Sequence, residues 1–257
     1  MKATNILKAI LPKFAFEFIV YWHKSRKNKS SEFFEKEFKL FTTKIADNRF
    51  ICNWADVVPC LKDATATTPF EPHYTYHPAW AARMLAKSMP EKHVDISSST
   101  QFIVIASAFV PIEFYDYRPA ALTLSGLDCK RGDLTALPFA DNSIPSLSCM
   151  HVIEHIGLGR YADPIDPQSD IKAMSELNRV LAKGGQLLFV VPIAGIAKIE
   201  FNAHRIYTYE MILKSFSNLK LENFALITDD QKYIENATKE LSDKQTWGCG
   251  CFLFRKS

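Results

Sequence analysis

The chain has 257 residues, of which 47% are hydrophobic and 23% charged, with a formal net charge of +3. This balance suits one sizeable soluble α/β domain with an extension, and a charge so small, without a Lys/Arg stripe through the main body, argues against a nucleic-acid partner. The six cysteines are scattered, Cys249 and Cys251 lack CxxC spacing, and no apolar run approaches the about 18 residues of a membrane span, so a reduced, cytoplasmic protein is expected.

Residues 1–52 read as an N-terminal helical extension. Ile6, Ile10, Leu11 and Phe14 recur at helical spacing, as do Phe33, Phe34, Phe38 and Phe41. The first residues resemble a signal peptide only superficially, because Lys13 and Glu17 interrupt the apolar core and no small-residue cleavage site follows. A basic run from Lys24 to Lys29 beside Phe14, Phe16, Phe18 and Trp22 admits weak contact with an anionic membrane surface, against the plainer reading of a solvated turn in a helical cap.

Residues 53–91 are expected to form a connecting loop, marked by Pro59, Pro69 and Pro72, and then a helix with Pro78 as its first residue and Pro90 closing it. His73, Tyr74, Tyr76, His77 and Trp80 collect at that helix entrance, either to close over a ligand or to pack the entrance.

From residue 92 onward strands and helices alternate, the pattern of a single doubly wound α/β domain. His93 to Ile96 predicts a strand, Phe102 to Val110 a helix after a small-residue turn, and Ile112 to Tyr115 a strand ending at Asp116. Ser143 to Val152 is β-prone and empties into a segment crowded with His151, Glu154, His155, Arg160, Tyr161, Asp163 and Asp166. Ligands of such sheets bind at the carboxyl ends of strands, so chemistry is expected there. Ser169 or Asp170 is expected to cap a helix ending at Gly184 and Gly185, and Gln186 to Val191 is a continuous apolar strand. Residues 201–205 read as a polar loop, Thr208 as the cap of a helix to about Phe216, Leu221 to Thr228 as a strand, Gln231 to about Leu241 as a helix and Cys249 to Phe254 as the last strand.

The series Gly132-Asp133, Leu137-Pro138-Phe139, Asp141, Ser143, Glu154-His155, Glu176, Arg179-Val180-Leu181 and Gly184-Gly185 resembles the class I methyltransferases that use S-adenosylmethionine, over roughly Lys92 to the C-terminus. The stretches SLSCMHVIEHIGLGRYADPIDP and FNAHRIY are similar to an uncharacterised branch of that superfamily, a domain of unknown function. The resemblance implies a Rossmann-like sheet and S-adenosylmethionine as cofactor. By position it implies that Asp95 opens the first motif with Ser97 and Ser99 in its turn, that Asp116 binds ribose, that Asp133 and Leu134 hold adenine, and that His151 and Ile153 lie near the methionine end. Where the family usually has DxGxGxG, this chain has Ser97, Ser99 and Gln101 in place of the glycines.

His155, Glu154 and His204 are the candidate proton acceptors for an acceptor hydroxyl or amine, and Arg160, Tyr161, Asn202, Arg205 and His77 the candidate substrate contacts. The string from His151 to His155 also matches HxxEH, a zinc-peptidase signature that needs a helix; here it follows directly on a strand, so no metal is expected from it. Two functions remain open: a methyltransferase for a small molecule or glycan precursor, and a methyltransferase-like scaffold that has lost its cofactor and serves as a binding or assembly module.

Overall fold

The computed structural model describes residues 32–257 apart from Asn48 and Leu61; the helices expected before residue 32 and the basic run Lys24 to Lys29 lie outside the described residues. The chain divides into two compact units, meeting between Pro69 and Phe70.

In the first unit a helix spans residues 32–43, as the phenylalanine spacing predicts. Trp54, in a short 3-10 turn (Trp54–Asp56), packs its ring 5.0 Å from Phe38 and 6.1 Å from Phe34. No helix among the described residues is long and apolar enough to cross a membrane.

The second unit begins with helix α1 (Pro72–Ser88). It starts six residues before Pro78, because Pro72 takes the first helical position, where a missing N–H costs nothing, and the Glu71 carboxylate accepts the Tyr74 amide. Pro78 is therefore inside the helix rather than at its start. There follow β1 (His93–Ile96), α2 (Thr100–Ala106), β2 (Ile112–Asp116), β3 (Leu127–Arg131), β4 (Ile144–Met150), α3 (Ser169–Val180) and β5 (Leu181–Ile193). The chain ends with β6 (Lys198–Glu200), β7 (His204–Ile206), α4 (Tyr209–Ser215), β8 (Leu219–Ile227), β9 (Tyr233–Ile234), α5 (Lys239–Ser242) and β10 (Gly248–Lys256).

The main sheet has the order β3-β2-β1-β4-β5-β10-β8-β9. The strands from β3 to β5 pair in parallel and β10 inserts antiparallel between β5 and β8. Alternate side chains of β5 enter opposite cores, as strand geometry requires. Leu187, Phe189 and Val191 join α3 and α4 through Leu177, Ile212 and Phe216 on one face, while Leu188 and Val190 join α1 and α2 through Trp80, Leu85, Phe102 and Ile103 on the other. A sheet so covered on both faces is the doubly wound architecture.

Three local expectations are corrected. Ser169 is the first residue of α3, and Gln168 occupies its N-cap without a side-chain hydrogen bond. Residues 201–205 are not an open loop: Asn202, at φ 65°, turns β6 back onto β7, pairing Glu200 with His204 and Ile199 with Arg205. The helix expected over 231–241 is cut to Lys239–Ser242, because Gln231 and Asn236 adopt left-handed φ values of 65° and 52° and the Ala237 amide bonds to Phe224 in the sheet.

Candidate functional site

The order of the sheet reverses between β1 and β4, and at their carboxyl ends lies a cavity of about 350 Å³. Asp116 ends β2 and faces this cavity, its Oδ1 accepting the Arg118 amide at 2.7 Å. Asp133 and Leu134 line another side, in a turn fixed by the bonds from Thr135 N and Oγ1 to Asp133 Oδ1 at 2.8 and 2.7 Å. The segment that follows is anchored by two of the motif residues: Glu176 accepts the Leu137 amide, and Arg179 donates to the carbonyls of Leu137 and Phe139 and to Asp141. His151, His155 and Tyr161 complete the far end.

The turn after β1 carries serines where the resemblance leads one to expect glycines. Ser97 adopts φ 59°, the left-handed region where glycine is ordinarily used, and it lines the cavity. Its Oγ donates to Tyr115 O at 3.2 Å, the Ser98 hydroxyl accepts the Met150 amide at 3.0 Å, and Ser99 caps α2 through the Phe102 amide. All of these hydroxyls are engaged within the protein. Asp95 and Ser99 stand away from the cavity wall: Asp95 is buried under the turn, where its carboxylate accepts the Ser98 amide and the Ser148 hydroxyl. Asp95 thus supports the turn, and burial pushes its carboxyl up to about 6.

Residues 151–160 form successive turns, not a helix, so the HxxEH string does not present two imidazoles to one ion. His151 is at φ 56°. Its Nδ1 lies 2.7 Å from Glu154 Oε1 and its Nε2 3.3 Å from Cys249 Sγ. Burial lowers His151 to about 3 and raises Glu154 to about 7. His155 Nδ1 lies 2.7 Å from Ala203 O and 3.1 Å from Arg160 Nη1; a proton on Nδ1 serves the closer carbonyl and leaves Nε2 as the bare nitrogen of a neutral ring, 3.6 Å from Glu154 Oε1. Burial also lowers the His155 pKa, which keeps the ring neutral near pH 7.

The other expected contacts are distributed differently. Glu154 is fully buried beneath His151 rather than on the cavity wall. Arg205 is locked into the structure, donating to Ile156 O at 2.6 Å and lying 3.6 Å from Asp170, so it is not a free clamp for a carboxylate or phosphate. Arg160 donates to Ala203 O and stacks on Tyr161, whose ring also receives Arg118 at 4.6 Å. Asn202 donates to Leu158 O and holds the hairpin turn. His204 lies 2.9 Å from Glu200 and packs against Trp247 with ring centroids 4.2 Å apart and the planes tilted by 38°. His77 is buried in α1 with Nδ1 on His73 O, its ring 5.0 Å from that of His151. The aromatic entrance of α1 therefore packs about His151, with Tyr74 and His73 stacked on it at 5.3 and 5.4 Å. Sequence reasoning missed Trp247, Cys249 and Arg118, which no local motif marks.

Comparison with known proteins agrees with this architecture. A family described as methyltransferase domain matches residues 79–189, and one described as Caenorhabditis protein of unknown function, DUF268, matches residues 141–248. No curated protein matches the chain. Among solved structures, the 1,6-didemethyltoxoflavin-N1-methyltransferase of Burkholderia thailandensis, with 1,6-didemethyltoxoflavin and S-adenosylhomocysteine bound, is similar with a TM-score of 0.51 at 8% identity, over 71% of this chain and 79% of that one. The MccD protein is similar with a TM-score of 0.51 at 16% identity, over 71% of this chain and 96% of that one. At such identities the structures speak for the fold. The chain is thus similar to the methyltransferase-domain family over residues 79–189 and to a domain of unknown function over residues 141–248, and it shares the fold of the solved methyltransferase structures.

Proposed function

We propose that the protein transfers a methyl group from S-adenosylmethionine to a small molecule or glycan precursor. The observation that carries this reading is the cavity at the switch point of the sheet, with a carboxylate at the end of β2, the Asp133–Leu134 turn on one side and His151, His155 and Tyr161 at the far end. Its volume of about 350 Å³ is that of a small-molecule site. Asp116 would accept the ribose hydroxyls, and Asp133 with the Leu134 amide would hold the adenine. When bound, the cofactor supplies a methyl group already activated on a sulfonium. The protein's work is then to align the acceptor and exclude water, tasks that fall to Tyr161, Arg118 and the turns around Gly157. An acceptor hydroxyl or amine must also lose a proton, and the bare Nε2 of neutral His155 is placed to take it.

The scaffold reading draws on a different observation: the serines of the first turn engage their hydroxyls internally. A thermal-shift titration with S-adenosylhomocysteine separates the two. Ligand at about 100 times its dissociation constant stabilises the folded state by about 2.7 kcal/mol, so the enzyme reading requires a clear rise in Tm. An unchanged Tm at millimolar ligand supports the scaffold.

A further inference from the structure

Three side chains remote in sequence converge behind the far end of the cavity: His73 in the first turn of α1, His151 after β4 and Cys249 in β10. Each offers one ligand atom, and these atoms all lie within 4.8 Å of one another. All three residues are buried. Zn–N and Zn–S bonds of about 2.0 and 2.3 Å place the nitrogen and sulfur ligands of a tetrahedral site about 3.5 Å apart. His151 Nε2 and Cys249 Sγ are already 3.3 Å apart.

The surroundings are those of a ligand set rather than of an incidental contact. Glu154 Oε1 faces His151 Nδ1 at 2.7 Å; a carboxylate on one imidazole nitrogen fixes the proton there and directs the lone pair of the other outward, the usual outer support of a metal-bound histidine. His155 is not part of the group, since its Nδ1 is engaged by Ala203 O.

We propose that His73, His151 and Cys249 bind one zinc-class divalent ion, with the fourth coordination position taken by water or by a small ligand. A thiolate with two imidazoles selects a borderline-soft ion over magnesium or calcium, and three protein ligands are the number that leaves a position open. On binding, the Cys249 thiol gives up its proton to solvent as the sulfur–metal bond forms, with no change in oxidation state. The site stands independently of whether S-adenosylmethionine binds.

Cobalt(II) is the probe, added to the full-length, chelator-stripped protein. The expected result is a thiolate-to-cobalt charge-transfer band with intense tetrahedral d–d absorption that saturates at one equivalent and is displaced by one equivalent of zinc. Cys249→Ser should abolish the charge-transfer band, His73→Ala should weaken cobalt affinity at least tenfold, and Cys129→Ser, on β3, should change neither. His73 sits in the first turn of a helix, so His73→Ala serves as the deciding variant if Cys249→Ser does not fold. No charge-transfer band in the wild type, a band that survives Cys249→Ser, or affinity unaltered by His73→Ala would each overturn the proposal.

Discussion

His151 Nδ1 lies 2.7 Å from Glu154 Oε1, and this contact joins the two parts of the site. On one side His151 lines the cavity; on the other its Nε2 reaches Cys249, while Glu154 also stands 3.6 Å from the Nε2 of His155. One buried carboxylate therefore orients the imidazole at the end of β4 and faces the nitrogen assigned as proton acceptor. A change at His155 should be felt in catalysis without disturbing the nucleotide end of the cavity.

His155→Gln keeps a polar side chain but removes the base. Loss of general-base catalysis typically costs about 10²- to 10⁴-fold in rate, so kcat should fall by that order while affinity for S-adenosylhomocysteine changes less than about threefold, measured by single-turnover methyl transfer and by calorimetry. Equal loss of both would show that His155 supports the fold of the cavity instead.

Asp95 carries the pH dependence of stability under the first turn. Its carboxyl is pushed up to about 6 by burial, against an unfolded value of about 4. Between these values the unfolded group is ionised and the folded one keeps its proton, so its contribution to stability falls as pH rises from about 4 to about 6 and is level above that. Urea titrations of wild type and Asp95→Asn across this range should show the difference in unfolding free energy between them declining over that window. A difference independent of pH would contradict the assignment.

His93 joins β1 to β4 by facing Ser146 Oγ through Nδ1 and Ser148 Oγ through Nε2, each at 2.7 Å. Ser148 donates onward to Asp95, and Gln186 donates to Ser146 at 3.0 Å. Every member is satisfied when His93 is neutral, consistent with burial lowering it to about 3. His93→Leu should destabilise the protein by about 1–3 kcal/mol for each buried group left unpaired, read by denaturant titration.

Gly157 has φ 73°, and a Cβ built there would stand 2.1 Å from Asp166 O and 2.7 Å from Ser169 Oγ. Gly157→Ala should lower stability by more than about 2 kcal/mol through left-handed strain and this clash, and should weaken cofactor binding because Gly157 lines the cavity.

The strands that build the sheet were legible because their apolar runs are short and bounded, as at His93 to Ile96 and Gln186 to Val191. Asp116, Asp133 and Leu134 were legible as cavity residues because a family motif fixes their order. What escaped depends on contacts distant in the chain. Residues 231–241 carry helix-compatible side chains, yet Ala237 is drawn to Phe224 in β8. Arg205 reads as a free cation until Ile156 O and Asp170 are seen around it. Cys249 meets His151 across 98 residues, a spacing no local pattern encodes.

On the proposed function, Asp116 holds S-adenosylmethionine in the cavity. Calorimetric titration of S-adenosylmethionine into wild type and Asp116→Ala tests it most directly. Micromolar binding to the wild type, about −8 kcal/mol, is expected, with at least tenfold weaker binding to Asp116→Ala and its melting temperature unchanged. No detectable binding to the wild type, or equal affinity in the variant, would contradict it.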